Sequence, residues 1–192
     1  MRISGGDFKG RKISSKKALG LVSKHGILRP TSSKVRESIF NIIGGDIRDS
    51  IFVDLYAGTG AVGIEAMSRG ARMVFFVETD RKRALLIEKT LSDCGCIPRA
   101  RIINQKAYDF ISRAKEDGLK FDIIFLDPSY YSAELEDALF LLSGGELLSE
   151  QGVVIAEHSF KTKLPDKIGA LKQKKAYKYG DTMLTLFKTE GG

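Results

Sequence analysis

The segment Ile51-Phe-Val-Asp-Leu-Tyr-Ala-Gly-Thr-Gly-Ala-Val-Gly63 constrains the fold of this chain more than any other. Its opening apolar run, Ile51 to Val53, is short and β-branched at both ends, which predicts a buried strand that ends at Asp54. Glycines 58, 60 and 63 follow, and then Ile64 to Arg69 reads as a helix closed by Gly70. A strand that turns through glycines into a helix N-terminus brings bare backbone N–H groups close to a ligand and favours acceptor oxygens and anions. The spacing of the glycines satisfies the dinucleotide-binding pattern, which by itself leaves the ligand open.

The next strands narrow that choice. Met73-Val-Phe-Phe-Val77 ends in Glu78, about twenty residues past the glycines, where an acid can accept both hydroxyls of a ribose. Further on, Phe121-Asp-Ile-Ile-Phe-Leu126 is another buried strand, and it runs directly into Asp127-Pro128-Ser129-Tyr130. Taken together, Asp54-x-x-x-Gly58-x-Gly60, Glu78 and Asp127-Pro-x-Tyr resemble a class I S-adenosylmethionine-dependent methyltransferase that modifies an amino nitrogen.

Charge adds a partner. The net charge is +7, and its distribution is uneven: residues 1–36 hold ten Lys or Arg and one acid, whereas residues 37–192 hold 21 bases and 23 acids. A concentrated basic segment is the footprint of a phosphate-binding surface, and it is expected here in the N-terminal segment. The two cysteines, Cys94 and Cys96, and the two histidines, His25 and His158, do not form a zinc-ligand pattern, so no metal is expected. No apolar run approaches the roughly 20 residues of a membrane span, and the N-terminus lacks a signal-peptide core, so a cytoplasmic, membrane-free protein is expected.

In chain order, residues 1–13 alternate around Gly5-Gly6-Asp7 and predict a short β-hairpin with basic side chains on its open face. Residues 14–28 read as a polar loop, and Thr31 or Ser32 as the N-cap of a helix whose buried face is Val35, Ile39, Phe40, Ile42 and Ile43. Strands are expected at 51–54, 72–78, 100–104, 122–127 and 152–157, alternating with helices at 61–69, 81–93, 107–116 and 133–142. Such alternation implies a doubly wound, mostly parallel α/β sheet. Two last strands at 172–178 and 182–188, joined by a turn, make seven, with the final strand antiparallel. The expected division is an N-terminal basic extension, 1–28, and a catalytic domain, 29–192.

The N-terminal Arg2-Ile-Ser-Gly-Gly-Asp-Phe-Lys-Gly-Arg-Lys-Ile13 and Leu28-Arg-Pro-Thr-Ser-Ser-Lys-Val-Arg-Glu-Ser-Ile-Phe-Asn41 are similar to the bacterial 16S rRNA guanine-N2 methyltransferase family. The resemblance implies a Rossmann-like class I methyltransferase sheet with an N-terminal hairpin extension. It also implies S-adenosyl-L-methionine as methyl donor and, as target, the exocyclic amine of one guanine in 16S rRNA, free or in a small-subunit assembly intermediate; a monomer is expected. The family usually reads Asp-Pro-Pro-aromatic, and here Ser129 replaces the second proline.

On this reading Asp127 and the carbonyl of Pro128 accept hydrogen bonds from the target amine, and Tyr130 stacks on the base. Asp54 orients the glycine loop or the donor's amino group, Ala57, Gly58, Thr59 and Gly60 face the methionine moiety, and Glu78 takes the ribose. Thr79, Lys106 and Ala107 frame the adenine. Arg2, Lys9, Arg11, Lys12, Arg29 and Arg36 are the expected RNA contacts, while Glu65, Asp80 and Asp109 read as solvated or capping. The competing readings are methylation of adenine N6 or a protein glutamine, an NAD-binding oxidoreductase, and a non-catalytic ribosome-assembly factor.

Overall fold

The computed structural model describes residues 2–11, 32–128 and 132–189. Ser32 caps the first helix, α1 (Ser33–Ile43), its Oγ accepting from the Val35 amide at 3.2 Å, and Gly44 ends it at φ 61°. β1 (Ile51–Asp54), β2 (Met73–Val77), β3 (Ala100–Ile103), β4 (Phe121–Leu126) and β5 (Leu148–Ser159) are separated by α2 (Ala61–Ser68), α3 (Arg81–Asp93), α4 (Ala107–Glu116) and α5 (Ser132–Leu142). The chain closes with β6 (Lys167–Ile168), β7 (Leu171–Tyr179) and β8 (Thr182–Thr189).

All eight strands join one sheet in the order β3-β2-β1-β4-β5-β8-β7-β6. The first five pair in parallel, and β8, β7 and β6 are antiparallel. Expectation and structure agree on the α/β class and on the antiparallel end. They differ in strand number, eight rather than seven, because β6 is a two-residue strand too short to leave a periodic signal. β5 also begins four residues before the expected strand, at Leu148. The order reverses between β1 and β4, and ligands of open α/β sheets bind beyond the carboxyl ends of strands at such a switch point. Asp54 and Asp127 stand there.

Each face of the sheet has its own apolar core. One joins Phe52, Phe76, Ile123 and Phe125 to Val35 and Phe40 of α1, Ile64 and Met67 of α2, and Ile87 and Leu91 of α3. The other joins Val53, Val77, Ile124 and Leu126 to Phe110 of α4 and Leu135 and Leu139 of α5. Burying side chains of this size stabilises by roughly 1.5–3 kcal/mol each before conformational entropy is subtracted. No helix among the described residues is long and apolar enough to cross a membrane.

The described part of the N-terminal segment is a tight reversal. Ile3 N–H donates to the Arg11 carbonyl at 3.1 Å and Gly10 N–H to the Ile3 carbonyl at 2.9 Å. Arg2 is a β-bridge residue and bends and turns occupy residues 5–10, while the second arm of the hairpin expected over 1–13 runs past the described residues. It docks on α2: Asp7 N–H donates to the Ser68 carbonyl at 2.8 Å, Ser68 Oγ to the Gly5 carbonyl at 2.6 Å, and Ile3 is buried in the first core. The expectations for Lys12, the 14–28 loop, Arg29 and Thr31 lie outside the described residues.

Candidate active site

The turn after β1 is held from two sides. Leu55 N–H donates to the Phe125 carbonyl on β4 and Ala57 N–H to the Val77 carbonyl on β2, at 3.0 and 2.9 Å. Gly58 and Gly60 take φ of 55° and 73°, the left-handed region that glycine enters without strain. Gly63 has another role: a Cβ there would stand 2.3 Å from the Phe76 ring, so glycine lets α2 pack directly on β2. Thus Gly58 and Gly60 shape the turn, while the third glycine of the pattern serves helix–strand packing.

Asp54 ends β1 with its carboxylate buried, and Oδ2 accepts the Gly63 amide at 3.0 Å. Glu78 ends β2 and bridges two loops, Oε2 accepting from Gly58 N–H and Oε1 from Asp80 N–H, both at 2.8 Å. Each of these oxygens retains acceptor capacity, because a carboxylate offers about four lone-pair sites. Asp127 and Pro128 follow β4, both half-buried. Burial pushes the Asp54 carboxyl up to about 7; the Gly63 amide opposes the shift, and repulsion from Asp127 and Glu78 adds to it. Three carboxylates from three adjacent strand ends therefore act on one small volume. Among the described residues no group of three or more His, Cys, Asp or Glu is arranged to hold a metal ion.

The remaining expected site residues fall around this centre. Ala57 is buried, Thr59 half-buried and Thr79 exposed. Lys106 is the exposed N-cap residue of α4 and makes no side-chain cap bond, with Ala107 buried behind it. Asp80 caps α3, its Oδ1 accepting from Lys82 and Arg83 amides at 2.8 and 3.1 Å. Asp109 is exposed on the first turn of α4. Tyr130 and Ser129 lie outside the described residues.

Of the expected RNA contacts, Arg2, Lys9 and Arg11 are exposed, with the Arg11 guanidinium 5.2 Å from the Phe8 ring centroid. Arg36 requires a correction. It is 1% exposed, its Nε donates to Glu65 Oε2 at 2.7 Å and its Nη2 to the Arg2 carbonyl at 2.8 Å. A guanidinium buried in this way has no surface to offer a phosphate.

Glu65 is corrected with it, because it is fully buried rather than solvated. Burial alone would raise its carboxyl, but hydrogen bonds from Ser4, Arg36 and Arg69 outweigh that cost and hold it below the usual carboxylate range. This cluster fastens the N-terminal loop to α1 and α2.

Two contacts were not anticipated from the sequence. Asn104, just past β3, donates through Nδ2 to the Glu78 and Thr79 carbonyls at 2.8 and 3.0 Å and fixes the loop that carries Glu78. Tyr56 donates from its hydroxyl to the Glu134 carbonyl at 3.3 Å, tying the glycine turn to α5.

Comparison with known proteins finds relatives over nearly the whole chain. A family model described as Conserved hypothetical protein 95 matches residues 1–188. The Bacillus subtilis protein YlbH is 35% identical over the full length of both chains. The Escherichia coli (strain K12) ribosomal RNA small subunit methyltransferase D is 32% identical over 86% of this chain and 78% of that one. Among solved structures, the Escherichia coli protein yhhF superposes with a TM-score of 0.83 at 26% identity, covering 100% of this chain and 99% of the other.

Proposed function

The chain belongs to the family described as Conserved hypothetical protein 95, and from that premise we propose that it transfers a methyl group from S-adenosyl-L-methionine to the exocyclic N2 of a guanine in 16S rRNA. The relative named ribosomal RNA small subunit methyltransferase D supports the RNA target class. The observation that carries the reading is the convergence of Asp54, Glu78 and Asp127 at the ends of the neighbouring strands β1, β2 and β4. Asp54 and Asp127 at the ends of β1 and β4 would repel a pyrophosphate laid beside them, which disfavours a dinucleotide, whereas Glu78, with Arg83 Nη1 3.8 Å from Oε1, suits a ribose in either case. A ligand bearing a sulfonium and an ammonium group would instead offset the burial that raises Asp54 and the repulsion from Asp127 and Glu78 that adds to it. The residues present therefore fit this donor.

When bound, the donor supplies an electrophilic methyl group on a positively charged sulfur. Glu78, held by the Gly58 and Asp80 amides, has acceptor capacity left for the ribose hydroxyls. Asp54, fixed by Gly63, sets the turn against which the methionine moiety rests. Thr79, Lys106 and Ala107 form the adenine side, with Asn104 holding the backbone of Thr79 in place.

Guanine N2 is a poor nucleophile because its lone pair is delocalised into the ring. The carboxylate of Asp127 and the carbonyl of Pro128 would accept its two N–H groups and so turn the nitrogen toward the methyl group. Alignment of this kind accounts for most of what a displacement at carbon requires. Residues 1–28 form the RNA-facing extension in this reading, and the domain 29–192 carries the chemistry.

The test is Asp127→Ala. Single-turnover methyl transfer to rRNA should fall by orders of magnitude with donor affinity nearly unchanged, the signature of an interaction made mainly in the transition state. Asp127→Asn keeps the shape and an acceptor oxygen, so it should be impaired but faster than alanine. Near-normal transfer by Asp127→Ala would remove the β4 loop from the chemistry.

A further inference from the structure

The near neutrality of residues 37–192 is a cancellation. Residues 37–159 hold 13 bases and 20 acids, whereas residues 160–189 hold eight lysines and two acids, Asp166 and Asp181, a local net charge of +6. These lysines occupy the antiparallel end of the sheet. Lys172, Lys174, Lys175 and Lys178 are all exposed on β7, and Lys161 and Lys163 are exposed in the connection that precedes β6. No ion pair of these six is found among the described residues.

The sheet register places one end of this surface beside the candidate active site. Leu126, the last residue of β4, pairs with Ala156 of β5, and β5 continues to Ser159, which pairs with Thr182 of β8. Thr182 in turn pairs with Tyr179 of β7, so the β7–β8 turn stands at the sheet end where β4 delivers Asp127. Phe160 N–H donates to the Asp181 carbonyl at 3.0 Å, and Lys178 Nζ rests 4.5 Å from the Phe160 ring centroid. From there the lysines run down β7 toward Lys172. A register shift between Gln173 and Lys175 leaves Lys174 and Lys175 both exposed in succession.

We infer that β7 and the connection after β5 form a second RNA-backbone surface, which receives the strand flanking the target guanine and leads it to Asp127. The inference rests on the proposed RNA methylation. Lysines spaced along a strand suit a phosphodiester backbone; the register sets Lys175 on the face of Tyr177 and Tyr179, the latter packed against the first core, and Lys178 on the opposite face, so the basic surface wraps the open side of β7. Past Lys172, where the pairing with β6 ends, β7 is an open edge, and lysines on an edge also discourage strand-to-strand association between copies. That role is confined to β7, however, and does not account for Lys161 and Lys163 outside it.

The experiment uses the full chain with Lys174, Lys175 and Lys178 all changed to alanine, and a second variant, Lys161→Ala with Lys163→Ala, that leaves the strand untouched. Binding of a 16S rRNA fragment is measured from about 50 to 200 mM salt, alongside KM and kcat for methyl transfer and donor affinity by calorimetry. Each phosphate that is no longer neutralised should lower the log–log salt slope by about 0.7–0.9, so the triple variant should lose about 2–3 and the double variant about 1.5–2. KM for RNA should rise in both, with kcat and donor affinity unchanged.

Unchanged slopes and KM values in both variants, with wild-type transfer to rRNA intact, overturn this surface and leave the function standing. A wild-type protein that binds donor but transfers nothing to rRNA overturns the function instead. A triple variant that only aggregates, beside a double variant with a wild-type slope, shows that the lysines serve solubility and likewise overturns the surface.

Discussion

Two carboxylates flank the same short helix and have opposite surroundings. Glu65, within α2, is enclosed by Arg36, Arg69 and the Ser4 hydroxyl, and is held below the usual carboxylate range. Asp54, against the first turn of that helix, accepts one amide and faces two further acids, and it is pushed up to about 7. Both are almost inaccessible to water. What separates them is whether the protein itself supplies compensating positive charge. At Glu65 it does, and the result is architecture. At Asp54 it does not, and the deficit is one that a cationic ligand can fill.

The harshest way to break the contrast is Glu65→Ala. It strands the buried Arg36 guanidinium and releases the N-terminal loop from α2, and removing one partner of a buried ion pair typically costs about 3–5 kcal/mol. Thermal unfolding should show a loss of that order. Glu65→Gln should be milder, because its oxygen can still accept from one arginine. A loss below about 1 kcal/mol in the alanine variant would mean that the cluster is no more than a surface pair.

Arg36 also shows how far a sequence can be read. The glycine turn and the β1, β2 and β4 strands were legible because apolar runs, β-branched residues and glycines act locally, and α3 and α4 begin and end where their patterns do. Arg36 read as a phosphate ligand because its partner, Glu65, is 29 residues away and brought close only by folding. A signal was nevertheless present. Arg36, Phe40 and Ile43 share one helical stripe, and Glu65 interrupts the otherwise nearly apolar run Ala61 to Met67. A base on one buried face and an acid on another are candidates for each other before they are candidates for solvent.

Asn104 and β6 carried no such signal. The asparagine acts on main-chain carbonyls 25 and 26 residues earlier, and the strand has only two residues. Among the site residues, Asp54 and Glu78 followed from strand ends, whereas their mutual influence with Asp127 emerges only once three strands lie side by side.

A second, smaller intervention works on the ligand side of the contrast. Glu78→Ala removes the carboxylate that bridges Gly58 and Asp80 and that would take the ribose. Donor affinity should weaken by about 1.5–3 kcal/mol, the range for a hydrogen bond to a charged group. Global stability should change less than in Glu65→Ala. Calorimetric titration with the donor measures the first effect and thermal melting the second. Equal losses in both variants and both assays would erase the distinction between the structural Glu65 and the ligand-facing Glu78.

The finest test titrates Asp54 itself. An acid whose folded value lies near 7 and whose ordinary value is 3.8 binds a proton in the folded state that the unfolded chain has already released. Its contribution to stability is therefore complete below about pH 4 and is lost as pH rises through 7. For a single group centred there, raising the pH from about 6 to 8 costs about 1.4 kcal/mol. Asp54→Asn keeps an oxygen for the Gly63 amide but cannot ionise, so the wild-type loss minus that of the variant isolates the carboxyl from every other group titrating in the window. Saturating donor should shrink the difference, because a positive charge nearby keeps Asp54 ionised at both pH values. The same coupling makes donor binding near pH 6 release protons, seen calorimetrically as a heat that depends on the buffer. If wild type and Asp54→Asn lose stability in parallel across this window, Asp54 is already compensated within the protein and resembles Glu65 after all.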